Sequence, residues 1–110
     1  MRQVMVRYKV KPDRVEENEA LVRAVYEELH EVSPPGFRYV TYKLDDGVTF
    51  VHLAVTEADA EGDGRVLPKL RAFQAFRKDL ADRTEEGPAS TELEQIGAFR
   101  LAGDATAMTS

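Results

Sequence analysis

Residues 37–56 read FRYVTYKLDDGVTFVHLAVT, two runs of strand-forming residues around Asp46-Gly47. Asp-Gly is a strong signal for a two-residue type I′ turn, which needs positive φ at both central positions. With that turn, Tyr42 lies opposite Val51, Thr41 opposite His52, Val40 opposite Leu53 and Tyr39 opposite Ala54. Side chains alternate along a strand, so the hairpin has two unlike faces. One carries Val40, Tyr42, Leu44, Val51, Leu53 and Val55, and is almost wholly apolar. The other carries Phe37, Tyr39, Thr41, Lys43, Phe50, His52 and Thr56, which mix rings, hydroxyls and ionisable groups. Hydrophobicity assigns the first face to the core and the second to the wall of a cleft.

On the N-terminal side, Arg2 to Lys11 alternate, with Val4, Val6, Tyr8 and Val10 on one face, as in a strand with one core side. Asp13 with Glu16 has capping-box spacing. Leu21, Val22, Val25, Leu29 and Val32 then recur at helical intervals until Ser33-Pro34-Pro35-Gly36. On the C-terminal side, Glu57 to Arg65 is an acidic loop without the ligand pattern of a calcium-binding loop. Leu67, Leu70, Phe73, Phe76 and Leu80 mark a second amphipathic helix ending near Gly87-Pro88. Ser90 to Leu101 reads as a last strand, with Leu93, Phe99 and Leu101 on its core side. The order β-α-β-β-α-β is the ferredoxin-like α+β arrangement, with strands one and three central and both helices on one face.

The 110 residues make one domain, residues 1–101, with a small, polar and flexible tail at 102–110. The chain has no cysteine, which excludes disulfides, thiolate nucleophiles and zinc–sulfur sites. A net charge of −5 with dispersed basic residues argues against nucleic acid or an anionic membrane as partner. No apolar run approaches membrane-spanning length, and the first strand begins almost at Met1. The expected compartment is the cytoplasm. A helix-free sheet face bearing Met5, Phe37, Tyr39, Phe50 and Ile96 predicts a homodimer packed sheet to sheet.

The segments VRYKVKPDRVEENEALV, DDGVTFVHLAV, LPKLRAFQAFRKDLADR and ELEQIGAFRL together resemble the antibiotic biosynthesis monooxygenase-like family of dimeric α/β-barrel proteins. The resemblance runs from about Gln3 to Leu101. It implies two ferredoxin-like subunits paired into a barrel, with a pocket in each. It also implies oxygenation of a small aromatic or quinol-type metabolite by dioxygen without metal, flavin or other cofactor. Haem-degrading relatives use an asparagine, a tryptophan and a histidine; this chain has no tryptophan, and its one asparagine is Asn18. A non-catalytic ligand-binding or structural homodimer of the same fold is the alternative.

His52 is the candidate catalytic base, since an imidazole titrates near neutrality. The same histidine can instead bond across a dimer interface. Arg7 is the candidate holder of a substrate anion, or a partner of Glu92 or Glu94 on the last strand. Tyr39, Thr41 and Phe50 complete the substrate-binding set, Tyr39 and Phe50 as stacking rings or as interface plugs. His30 in the last turn of the first helix serves the helix dipole. No metal site is expected.

Overall fold

Strand β1 (Arg2–Val10) alternates as its sequence demands, burying Tyr8 and Val10 and leaving Arg7 exposed. The protein is described from a computed structural model that covers residues 1–57 and 66–100. The expected acidic loop after Glu57, the expected tail at 102–110 and Leu101 therefore lie outside the described residues. A 3-10 turn at Pro12–Arg14 leads into helix α1 (Val15–Val32). Asp13 sits in that turn and does not cap the helix. Arg14 holds the cap position and pairs with Glu17 at 2.6 Å. The helix ends where Ser33 turns left-handed, with φ 48°, and donates its N–H to Leu29 O at 2.7 Å.

Strands β2 (Phe37–Lys43) and β3 (Thr49–Thr56) pair in the expected register, Thr41 opposite His52 and Tyr42 opposite Val51. The turn itself differs from expectation. Within it only Gly47 has positive φ, at 78°. The Gly47 N–H donates to Leu44 O at 3.0 Å, and the Leu44 N–H donates to Thr49 O at 2.8 Å. The loop thus spans 45–48, and Asp46 ties it by accepting from the Val48 and Thr49 N–H groups, both at 2.9 Å. A four-residue loop centred on the same two residues keeps the same strand pairing as a two-residue one.

Helix α2 (Arg71–Lys78) and the short helix α3 (Leu80–Arg83) are followed directly by β4 (Thr84–Leu93). The last strand therefore starts six residues earlier than the expected Ser90, and it contains Gly87-Pro88. Proline is tolerated because the sheet order is β2-β3-β1-β4, which makes β4 an edge strand. Arg7 pairs with Ala89 and Lys9 with Glu86, so Gly87 and Pro88 bulge together opposite Tyr8. As a consequence Leu93 and Phe99 are exposed, not core, and Ile96 is exposed with them.

The expected assignment of the hairpin faces is inverted. Strand β1 pairs Val6 with His52 and Tyr8 with Phe50, and directly paired residues share a face. Tyr39, Thr41, Phe50 and His52 accordingly turn toward the helices, and His52 packs beneath Phe76 with ring centroids 5.7 Å apart. Val40, Tyr42, Val51, Leu53 and Val55 turn the other way, together with Met5 and Arg7. Both hairpin faces carry apolar groups, so hydrophobicity does not choose between them; pairing to β1 does. The core joins Tyr8, Val10 and Phe50 to Val22 and Val25 of α1 and to Leu70, Phe76 and Leu80. Between the helices, Glu28 of α1 accepts the first N–H groups of α2, from Arg71 at 3.2 Å and Ala72 at 2.8 Å.

Candidate functional site

A line of polar side chains crosses the apolar layer between sheet and helices. It begins at Arg83, wholly buried at the end of α3. Its Nε donates to Asn18 Oδ1 at 3.0 Å, its Nη2 donates to Phe76 O at 2.8 Å, and its guanidinium lies 5.3 Å from the Phe76 ring centre. Asn18, also wholly buried, donates from Nδ2 to the Tyr8 hydroxyl at 2.9 Å. That hydroxyl is 2.8 Å from His52 Nε2. On the far side of the imidazole, Nδ1 meets the Tyr39 hydroxyl at 2.5 Å and Thr41 Oγ1 at 3.1 Å. Thr41 is bonded in turn to the Tyr26 hydroxyl at 2.8 Å.

Burial sets the electrostatics. With no acidic partner among the described residues, His52 is pushed down by burial to about 4 and is neutral at pH 7. Burial pushes the Tyr8 phenol up to about 12, against the opposing effects of the Asn18 bond and the Arg83 charge. Tyr39 is raised as well, first by burial and then by the neighbouring phenols Tyr26 and Tyr8. Arg83 is lowered by burial; its Nη1 is buried with no hydrogen-bond partner among the described residues. The centre at pH 7 is a neutral imidazole between two protonated phenols, anchored to a buried cation.

Of the residues singled out in the sequence, His52, Tyr39 and Thr41 come together here. Phe50 stands behind them, stacked on Tyr8 at 5.6 Å. Arg7 does not join them, because its side chain leaves the opposite face of the sheet. Nor does it pair with Glu92 or Glu94: Glu92 bonds Arg2 at 3.3 Å, and Lys9 takes Glu85 at 3.7 Å. Tyr39 is flanked by Tyr26 and Phe37, at 5.3 and 5.9 Å between ring centres. A separate open groove of about 350 Å³ lies outside this centre, lined by Pro68, Phe73, Gln74, Arg77 and Lys78.

Four members of this line, Asn18, Arg83, Tyr8 and Tyr26, were not expected there. Two of them carry a legible signal. Asn18, Val22, Val25 and Leu29 share one helical stripe, and Phe73, Phe76, Leu80 and Arg83 share another. A polar residue at an apolar position of such a stripe is a buried polar group in need of a partner.

No protein-family model and no curated protein matches this sequence. Solved structures do match in shape. A Nitrosomonas europaea protein provisionally named an antibiotic biosynthesis monooxygenase superposes with a TM-score of 0.71 at 20% identity, covering 88% of this chain and 100% of its own. Another antibiotic biosynthesis monooxygenase gives 0.68 at 14% identity, over 88% of this chain and 100% of the other. A point mutant of SnoaB, a cofactor-independent oxygenase from Streptomyces nogalater, gives 0.63 at 16% identity, over 88% and 94% of the two chains. At these identities the likeness is one of architecture, and the chain has the ferredoxin-like fold of the antibiotic biosynthesis monooxygenase-like proteins.

Proposed function

We propose that this protein is a cofactor-independent monooxygenase acting on a small aromatic or quinol-type metabolite, with His52 and Tyr39 at its reactive centre. The observation that carries the reading is a neutral, buried imidazole held between two phenols. The fold it sits in is shared with a protein named a cofactor-independent oxygenase. Such a reaction asks little of a protein. Once an anthrone- or quinol-type substrate has lost a proton, it can pass an electron to dioxygen. A carbon–oxygen bond then forms. For an anthrone, one oxygen atom stays as a new carbonyl and the other leaves as water with the two hydrogens of that carbon. The protein must hold the ring, stabilise the anion and exclude water. His52 has one lone pair and one N–H for this, to take a proton or to back a phenol that stabilises the anion. The functional unit is a homodimer joined through the helix-free sheet face.

A second reading has its own observation. His52 is only 5% exposed, and Tyr8, Tyr39 and Thr41 already satisfy both its nitrogens. That arrangement also suits a purely structural polar core in a non-catalytic dimer. Oxygen uptake with a panel of naphthoquinols and anthrones separates the two. The oxygenase reading expects turnover by wild type and a loss of roughly 10²–10⁴-fold in His52→Ala, the range for removal of an acid–base group. Equal activity in the two proteins removes His52 from the mechanism, and none in either favours the structural dimer.

A further inference from the structure

The hydrogen bonds around His52 have a direction, and it is set at the far end from Tyr39. Arg83 has only donors to offer, so the Asn18 atom facing its Nε must be the carbonyl oxygen. That turns the Asn18 amide nitrogen toward Tyr8, whose oxygen accepts. The single hydroxyl proton of Tyr8 then has His52 Nε2 as its acceptor, so Nε2 carries the lone pair. His52 is neutral at pH 7, so its one proton lies on Nδ1, which donates to the Tyr39 oxygen, with Thr41 as a weaker second acceptor. The reverse direction would leave the Tyr8 proton buried without an acceptor, and such a group is costly. In the forward direction the one phenolic proton not committed to His52 belongs to Tyr39, which is half-buried and has the Thr41 hydroxyl, itself held by His52 and Tyr26, as its other hydrogen-bond neighbour.

We propose that Arg83 and Asn18 are positioning residues which lock His52 as its Nδ1–H tautomer, so that the Tyr39 hydroxyl is the donor presented to a carbonyl or phenolate oxygen of the ligand. The ligand half of this rests on the oxygenase reading above; the tautomer half does not. His52 then acts through Tyr39: its Nδ1–H polarises the phenol, which stabilises a substrate oxyanion without being ionised itself.

The test is a long-range proton–nitrogen spectrum of the imidazoles at pH 7, where only His30 and His52 contribute. In wild type, His52 is expected to show a protonated Nδ1 and a bare Nε2. Asn18→Asp keeps the shape and pairs with Arg83, but it offers Tyr8 an acceptor where Asn18 offered a donor. The chain reverses, and His52 is expected to switch to the Nε2–H form. A merely structural Asn18 would not move the tautomer. A bare Nδ1 in wild type, or an unchanged pattern in Asn18→Asp, overturns the proposal. The ligand half is read by titrating 1,4-naphthoquinone, whose oxygens only accept. Tyr39→Phe is expected to bind it about tenfold more weakly than wild type, the effect of one lost hydrogen bond. Equal affinity, or no binding to wild type, overturns the donor role. Absence of quinol oxygenation alongside the expected spectra and affinities removes the oxygenase reading and leaves this one standing.

Discussion

His52 links burial to pH. Its pKa is about 4 in the folded protein, against 6.5 for an ordinary histidine. Between those values the unfolded chain binds a proton that the native one refuses. Its stability is therefore full above pH 6.5 and falls as pH drops toward 4, by about 3 kcal/mol in all. The lowered carboxyls of Asp46, Glu17 and Glu19 lose their contributions at lower pH, below their ordinary values of 3.8 and 4.5. The window from 6.5 to 5 thus belongs to His52. Urea denaturation across it is expected to show a slope in wild type and none in His52→Gln. Activity, where measured, should not rise through pH 6–8 on account of this imidazole, because it has already lost its proton. Arg83 carries the next prediction at this scale. Arg83→Met leaves Asn18 Oδ1 and Phe76 O buried without their donor and should destabilise by about 2–4 kcal/mol. Adding Asn18→Leu should cost less than its effect alone, a coupling that a double-mutant cycle measures.

At the scale of elements, the hairpin shows what a pattern of residues reveals and what it conceals. Asp46-Gly47 gave the strand pairing, because register depends on where the loop is centred. It did not give the turn type, which depends on the three bonds Asp46 accepts from Val48 and from the backbone and hydroxyl of Thr49. Asp46→Ala should therefore lower the denaturant midpoint, with the register preserved. Period-two alternation identified both hairpin faces but not which one meets the helices. That choice lies in long-range pairing, Val6 with His52, to which local hydrophobicity is blind. The end of the second helical region was hidden for a similar reason. Gly87-Pro88 reads locally as a terminator, yet an edge strand with a bulge accommodates it. His52, Tyr39 and Thr41 were legible as a group because they share one face of one hairpin. Asn18 and Arg83 belong to helices far away in sequence, and only the fold brings them to Tyr8. The Glu28 carboxylate is a further cross-element device. It holds the first N–H groups of α2, and Glu28→Ala should lower stability by about 1 kcal/mol.

For the whole molecule, turning the hairpin over strengthens the argument for a dimer and changes the residues that make it. With the rings of Tyr39 and Phe50 directed at the helices, the uncovered face of the sheet carries Met5, Val40, Tyr42, Val51, Leu53, Val55 and Leu93. Val40, Leu93 and Tyr42 are 39%, 39% and 56% exposed. A row of largely apolar side chains across all four strands is what a second layer would cover. Arg7, which makes no ion pair among the described residues, lies in the same face, directly across from Val51. The proposed homodimer thus predicts association through Val51 and Leu53 on the central strand β3. Wild type is expected to sediment as a dimer at micromolar concentration. Leu53→Glu would place an unpaired carboxylate between the two sheets, at a cost of several kcal/mol on the order of a buried charge, and should sediment as a folded monomer. Phe50→Glu is the contrasting control: Phe50 is core and stacked on Tyr8, so that change should unfold the subunit. A wild type that stays monomeric at these concentrations, or a Leu53→Glu variant that stays dimeric, would exclude this face as the interface.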